Sequence, residues 1–156
     1  MFADILKPGG DKLHSAGSGF FCLLACIVLL FTWTAMRPCM DNGFTNWDET
    51  RYISGNPKIK SLTPAAVSAI FTSRDLDMYS PLATLSYAVN YRFSGLNPRA
   101  YHTTDLALHL ANTLLVMLLV GLLLPGLWPA FICALFFGIH PAHVESVAWA
   151  AARKDL

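Results

Sequence analysis

Two short stretches of this chain carry side chains able to do chemistry. The first, Asn46-Trp47-Asp48-Glu49-Thr50-Arg51-Tyr52, sets two adjacent carboxylates among aromatic rings. A carboxylate can take a proton from a hydroxyl or ligate a metal, and aromatic faces pack on the CH groups of a sugar. The same residues also fit a plainer reading, an interfacial anchor with a local Glu49-Arg51 pair. The second stretch, His140-Pro141-Ala142-His143-Val144-Glu145-Ser146-Val147-Ala148-Trp149, leads into Arg153-Lys154-Asp155. His140, His143 and Glu145 are types that bind divalent metals, and a helix after Pro141 would bring them to one locale. The spacing is not the His-Glu-x-x-His of zinc peptidases, so peptide hydrolysis is not supported. A polar helix end at a membrane boundary is the plainer reading here.

A third feature is the pair His102 and His109, seven residues apart and so on one helical face. Two histidines so placed could hold a haem. A membrane histidine can equally hydrogen-bond a neighbouring helix, and His109 and Asn112 are costly enough inside an apolar stretch to invite a functional role.

The elements that must position these groups follow from charge. The chain is 54% hydrophobic and only 13% charged, where soluble domains carry about 25% charged residues. No Asp, Glu, Lys or Arg occurs between Lys12 and Arg37, and none between Asp105 and Glu145. The first gap predicts a spanning helix over 16–36, since about 20 apolar residues at 1.5 Å rise cross the hydrocarbon core. Its rival, a cleaved signal peptide after Lys7 and Lys12, has too long an apolar run and no A-x-A site. The second gap is too long for one helix and is broken by Pro125-Gly126, which predicts a hairpin of spans 106–124 and 127–139. The short second arm calls for tilt or a re-entrant end. The fold class is therefore all-α, a polytopic membrane protein with about three transmembrane helices.

Residues 1–15 precede the first span, and 37–105 form a long, partly helical loop. Thr63-Pro64 before Ala65 to Phe71 predicts a capped amphipathic helix, and Leu82, Leu85, Val89 and Phe93 predict a second over 81–93. Such helices lie on membrane surfaces and cover sites. Two crossings by the hairpin return the chain to its starting side, so Asp48-Glu49 and the 140–156 segment belong at one membrane face. Charge counting leaves open which face, because a loop of this length translocates largely regardless of its basic residues. The net charge of +1, without a basic stripe, argues against a nucleic-acid partner. The four cysteines offer neither a disulfide framework nor metal-type spacing.

Taken as an ordered series, Trp47-Asp48-Glu49, Tyr79-Ser80-Pro81-Leu82, Leu85 to Tyr91, Gly95-Leu96-Asn97-Pro98, Tyr101-His102, Leu108 to Asn112, and His140 to Trp149 with Arg153-Lys154-Asp155-Leu156 resemble the N-terminal part of one family. It is that of the transmembrane and tetratricopeptide-repeat O-mannosyltransferase-like proteins, which are GT-C glycosyltransferases. The resemblance covers residues 17–156. It implies a donor sugar, mannose-like, on a polyprenyl phosphate, and a protein or glycan hydroxyl as acceptor. It places 1–15 in the cytoplasm, with 37–105 and 140–156 extracytoplasmic, in an endoplasmic reticulum or bacterial inner membrane. Asp48 and Glu49 fall on the catalytic carboxylates; His140, His143, Glu145, Arg153 and Lys154 fall on donor-binding positions, where cations or a divalent metal would stabilise the departing lipid phosphate.

Two departures stand out. Family members carry Arg where Ser80 stands, and often Asp where Glu49 stands. Further spans and tetratricopeptide repeats are expected after 156, so the chain reads as a truncated fragment of such an enzyme, inactive alone. A non-catalytic membrane assembly subunit is the alternative.

Overall fold

A computed structural model describes residues 18–72 and 79–156. The expected cytoplasmic segment 1–15, with the first two residues of the first span, lies outside them. Every regular element among the described residues is helical, and the all-α reading holds. The α-helices are α1 (Ser18–Met36), α2 (Pro64–Thr72), α3 (Pro81–Ser94), α4 (Pro98–Leu123), α5 (Leu127–Ile139) and α6 (Val144–Ala148). Short 3-10 turns cover Arg37–Asp41, Pro57–Lys60, Pro141–His143 and Ala150–Asp155, and a π-helical turn covers Thr50–Ser54.

Two described helices, Gly19–Asp41 taken with its 3-10 end and Pro98–Leu123, are long and apolar enough to cross a membrane. Leu127–Ile139 and Pro141–Ala148 add a third if this bent pair is one broken span. The break has a local cause, because Pro141 cannot donate to a carbonyl one turn back and disfavours helical backbone at His140. His140 is extended there, at φ −67° and ψ 131°. The α4–α5 turn uses Gly126 at φ 90°, a backbone that favours glycine.

The chain divides into two compact units. One contains α1, residues 108–123 of α4, α5 and the turn to His143. In it α1 packs along α5. Leu24, Val28, Met117, Leu127, Ala130 and Ala134 form its core. Ala130, Ala134 and Gly138 recur every four residues, so small side chains let the helix backbones approach closely. Thr32 and Thr113 fill the space over Gly138, where an added Cβ would overlap Thr32 Oγ1 and lie 3.0 Å from Thr113 Cγ2. The large apolar side chains left exposed here, among them Leu23, Leu30, Phe31, Leu122 and Ile132, suit a lipid surrounding.

The other unit contains Arg37–Ala107 and Val144–Leu156. Its core gathers Tyr52, Ile53, Ile59, Ile70, Tyr87, Tyr101 and Ala150. Thr63 caps α2 through its hydroxyl, which accepts from Ala66 N at 3.3 Å, while its carbonyl accepts from Val67 N at 2.9 Å. α3 ends at Gly95, φ 58°, whose carbonyl accepts from the Tyr101 hydroxyl at 3.0 Å. The last turn, Ala150–Asp155, docks on α3, where the Tyr87 hydroxyl donates to Ala150 O at 2.8 Å. Burial pushes the Tyr87 phenol above its ordinary pKa, so it stays a donor.

Candidate functional site

The Arg37–Ala107 and Val144–Leu156 unit is organised around one buried cation. Arg153 is 3% exposed and surrounded by acceptors. Nε donates to Asp105 Oδ1 at 2.5 Å, Nη1 to Ser86 Oγ at 2.9 Å and Asn90 Oδ1 at 2.7 Å, and Nη2 to Tyr101 O at 3.0 Å. The guanidinium carbon also stands 4.6 Å from the Tyr87 ring centroid. A planar five-donor fork suits this use, which a lysine could not reproduce. Asn90 is held for the task by its own amide, which donates to Thr104 Oγ1 at 2.8 Å. A charge so far from water is tolerable only when paired and hydrogen-bonded, and four of the five Arg153 N–H groups have acceptors.

Around this pair lie further buried ionisable groups. Asp105, His102 and Glu49 are at most 1% exposed. His102 Nδ1 is 4.0 Å from Asp105 Oδ2 and its ring faces the backbone of Gly43 and Val147. The Glu49 charge acts on Asp105, His102 and Tyr87. Glu49 Oε2 accepts from the Thr45 hydroxyl. Glu49 Oε1, Asp105 Oδ2, both ring nitrogens of His102 and Trp149 Nε1 have no partner within hydrogen-bonding geometry among the described residues. So many buried polar atoms in one place set the region apart from ordinary core, and buried charged clusters concentrate at functional sites.

The two neighbouring carboxylates therefore have different environments. Asp48 is half-buried and Glu49 is buried, both in the helical turn that runs into the π-helical Thr50–Ser54. Such π turns occur frequently at functional sites. Trp47 is 77% exposed beside them, its ring centroid 6.4 Å from that of Trp149. Asn42 donates to Ala148 O at 3.2 Å, a second tie between the Asp48 segment and the 144–156 segment. The structure thus brings Asp48, Glu49, Glu145, Arg153 and Lys154 into one compact unit.

His140 and His143 belong to the other unit. There they line an apolar cavity of about 380 Å³ with Cys133, Phe136 and Phe137, and their ring centroids stand 6.3 Å apart. Glu145 is exposed. Among the described residues no group of three His, Cys, Asp or Glu side chains is placed to hold a metal ion. The His-x-x-His-x-Glu stretch is not one continuous helix, because the backbone breaks between His140 and the 141–148 segment that carries both His143 and Glu145. Arg153 is buried, and four of its five N–H groups meet acceptors inside the protein. Lys154 remains accessible. It lines a hollow of about 600 Å³ with Tyr79, Ser80 and Leu82, and its Nζ is 3.0 Å from Asp155 Oδ2.

His109 makes the hydrogen bond to a neighbouring helix that the plainer reading expects. His109 Nε2 is 2.9 Å from Gly138 O, its ring stacks on Phe137, and it is fully buried. Sequence reasoning missed Asp105, Ser86, Asn90 and Tyr101 as partners of Arg153. The one available signal was Asp105 itself, an acid at the very edge of an uncharged span.

Two helices long and apolar enough to cross a membrane, in a fold whose regular elements are all helical among the described residues, define the class, a polytopic α-helical membrane protein. Within it, the chain is 31% identical over 125 residues, 75% of its length, to the Drosophila melanogaster protein O-mannosyl-transferase Tmtc1. It is 28% identical over 154 residues, 93% of its length, to Drosophila melanogaster protein O-mannosyl-transferase Tmtc2, and 42% identical over 79 residues, 50% of its length, to mouse protein O-mannosyl-transferase TMTC2. These stretches make up 14%, 16% and 9% of the three relatives. The similarity supports the family that those names define. No family model and no solved structure matches the chain.

Proposed function

We propose that this chain is the N-terminal portion of a TMTC-type protein O-mannosyltransferase with a GT-C fold, acting in the endoplasmic reticulum membrane with tetratricopeptide repeats in its remaining length. The names of its relatives support mannosyl transfer, and all those cited are animal proteins, which favours that membrane over a bacterial one. The observation that carries the mechanistic part is the contrast at the acidic pair. Asp48 reaches the surface of its unit, whereas Glu49 is fixed inward by Thr45 beside the Asp105–Arg153 pair.

In this reading, mannose leaves a polyprenyl phosphate for a hydroxyl of a protein or glycan. Asp48 accepts the hydroxyl proton as the oxygen attacks the anomeric carbon. Lys154, in the hollow with Tyr79 and Ser80, offsets charge on the departing lipid phosphate. Glu49 and Arg153 act one step removed, holding the Asp48 turn and the 150–155 turn in place. Membrane lipid is the solvent for the donor's chain. A divalent ion would find no three-ligand set among the described residues, and no step is assigned to one.

The test uses the full-length gene product containing this segment, in microsomes supplied with a polyprenyl-phosphate mannose. Asp48→Asn should lower transfer by roughly a hundredfold or more, the scale of a general base, at nearly unchanged KM. Transfer that survives Asp48→Asn intact removes Asp48 from the mechanism.

A further inference from the structure

A second cleft in the Arg37–Ala107 and Val144–Leu156 unit is lined by none of the residues given a part in the proposed transfer. It has a volume of about 580 Å³ and lies between the Pro57–Lys60 turn, the start of α2 and α3. Two cations line it, Lys60 and Arg92, both exposed. Among the described residues no carboxylate lines the cleft and none pairs with either cation. Three hydroxyl residues, Ser61, Thr63 and Tyr91, complete the polar wall, and Ile59 and Ala88, both fully buried, form an apolar floor.

The hydroxyls are set up to donate. Thr63 Oγ1 already accepts from Ala66 N at 3.3 Å and from the Ser61 hydroxyl at 3.4 Å. Its own proton, like that of Tyr91, meets no acceptor among the described residues. Two uncompensated cations and unspent donors around one concave space are complementary to an anion with several acceptor oxygens. A guanidinium binds such an oxyanion in bidentate fashion and an ammonium adds a point charge. A phosphate spreads its oxygens tetrahedrally and so can meet donors from several sides of a concave wall, whereas a carboxylate presents its two oxygens in one plane.

We propose that this cleft is a binding site for a phosphate group, separate from the Asp48 centre and independent of the transferase reading. The group could arrive on an anionic lipid or as a soluble phosphate, and the chemistry of recognition is shared. Val89 and Phe93, 42% and 82% exposed on the α3 segment that carries Arg92, are of the kind that enters a lipid interface.

The full chain in neutral detergent micelles is titrated with inorganic phosphate by calorimetry, and separately mixed with phosphatidylcholine and phosphatidylserine before native mass spectrometry. A Lys60→Gln/Arg92→Gln variant is compared with Arg51→Gln/Lys58→Gln, which removes the same charge from the same unit. The Lys60/Arg92 variant should bind about thirtyfold more weakly, each cation near a surface being worth roughly a fivefold change. The control should bind as the parent does. Retention of phosphatidylserine that inorganic phosphate displaces identifies a lipid headgroup as the source; phosphate binding without retained phosphatidylserine identifies a soluble one. Binding of neither probe overturns the proposal, and so does equal weakening in both variants. Tyr91→Phe guards against misfolding, since it keeps the ring and should still weaken binding.

Discussion

The two compact units solve the burial of polar groups in opposite ways. In the helical unit of α1 and α5, the polar contacts are few and go to backbone: the Thr113 hydroxyl donates to His109 O at 2.8 Å and His109 Nε2 is 2.9 Å from Gly138 O, while Thr32 Oγ1 and His109 Nδ1 are buried without a hydrogen-bond partner. Close contact of small residues does the rest. In the other unit, a cation and carboxylates sit at 3% exposure or less, tied to residues as far apart in sequence as Asp105 and Arg153. Lipid-facing helices can gain little from apolar burial against one another and rely on fit. The unit with the acidic pair instead depends on a polar network in which each member holds another, the arrangement expected where geometry must be fixed near a reactive group.

Removing one partner of the buried ion pair should therefore produce the largest effect. Arg153→Met strands the Asp105 carboxylate and frees Ser86, Asn90 and the Tyr101 carbonyl. A cost of about 3–5 kcal/mol is expected, as for other broken buried pairs. Asp105→Leu/Arg153→Met, which removes both charges, should recover most of it. Thermal unfolding of the detergent-solubilised chain, followed by circular dichroism, gives both numbers. A single variant within about 1 kcal/mol of the parent would show that the network is ornamental and erase the contrast between the units.

The helical unit should respond to shape instead. Gly138→Ala drives a methyl group into Thr32 Oγ1 and against Thr113, and overpacking of this kind costs about 1–3 kcal/mol. Thr32→Ala should return part of that loss, because it removes the overlapping hydroxyl while leaving its Cβ at 3.2 Å from the new methyl. A double-mutant cycle measures the coupling. Additive effects would mean that the helices shift apart and that fit at Gly138 is not what holds them.

How much of this could be read in the residues differs between the units. The membrane helices are legible because bilayer thickness turns an uncharged run of fixed length into a span, and Pro125-Gly126 marks the turn between α4 and α5. The α2 and α3 helices announce themselves through Pro64 and Pro81 and through apolar spacing. The Asp105–Arg153 pair does not, since nothing local links residues 48 positions apart, and Arg153 beside Lys154 looks like a solvated basic end. The two carboxylates at 48 and 49 are adjacent and chemically alike; only the direction of the helical turn decides which one goes inward. The histidine spacing is ambiguous for a related reason. A pattern assumes one continuous element, and Pro141 breaks it.

The smallest effect sharpens this limit within one unit. Thr63-Pro64 and Ser80-Pro81 are the same signal in sequence, a hydroxyl residue before a proline at the first helical position. The two helix starts are built differently. Thr63 caps α2 with its hydroxyl, whereas Ser80 makes no side-chain cap and serves α3 through its carbonyl, which accepts from Thr84 N at 3.1 Å and from the Thr84 hydroxyl at 3.2 Å. Alanine keeps a carbonyl and loses a hydroxyl. Thr63→Ala should thus destabilise its helix by about 1 kcal/mol, the usual cost of a lost cap, and Ser80→Ala by a few tenths at most. Amide exchange at Ala66 and Val67, set against exchange at Thr84, reads the difference directly. Equal acceleration at both starts would mean that the shared sequence signal, rather than the observed hydrogen bonds, describes how these helices begin.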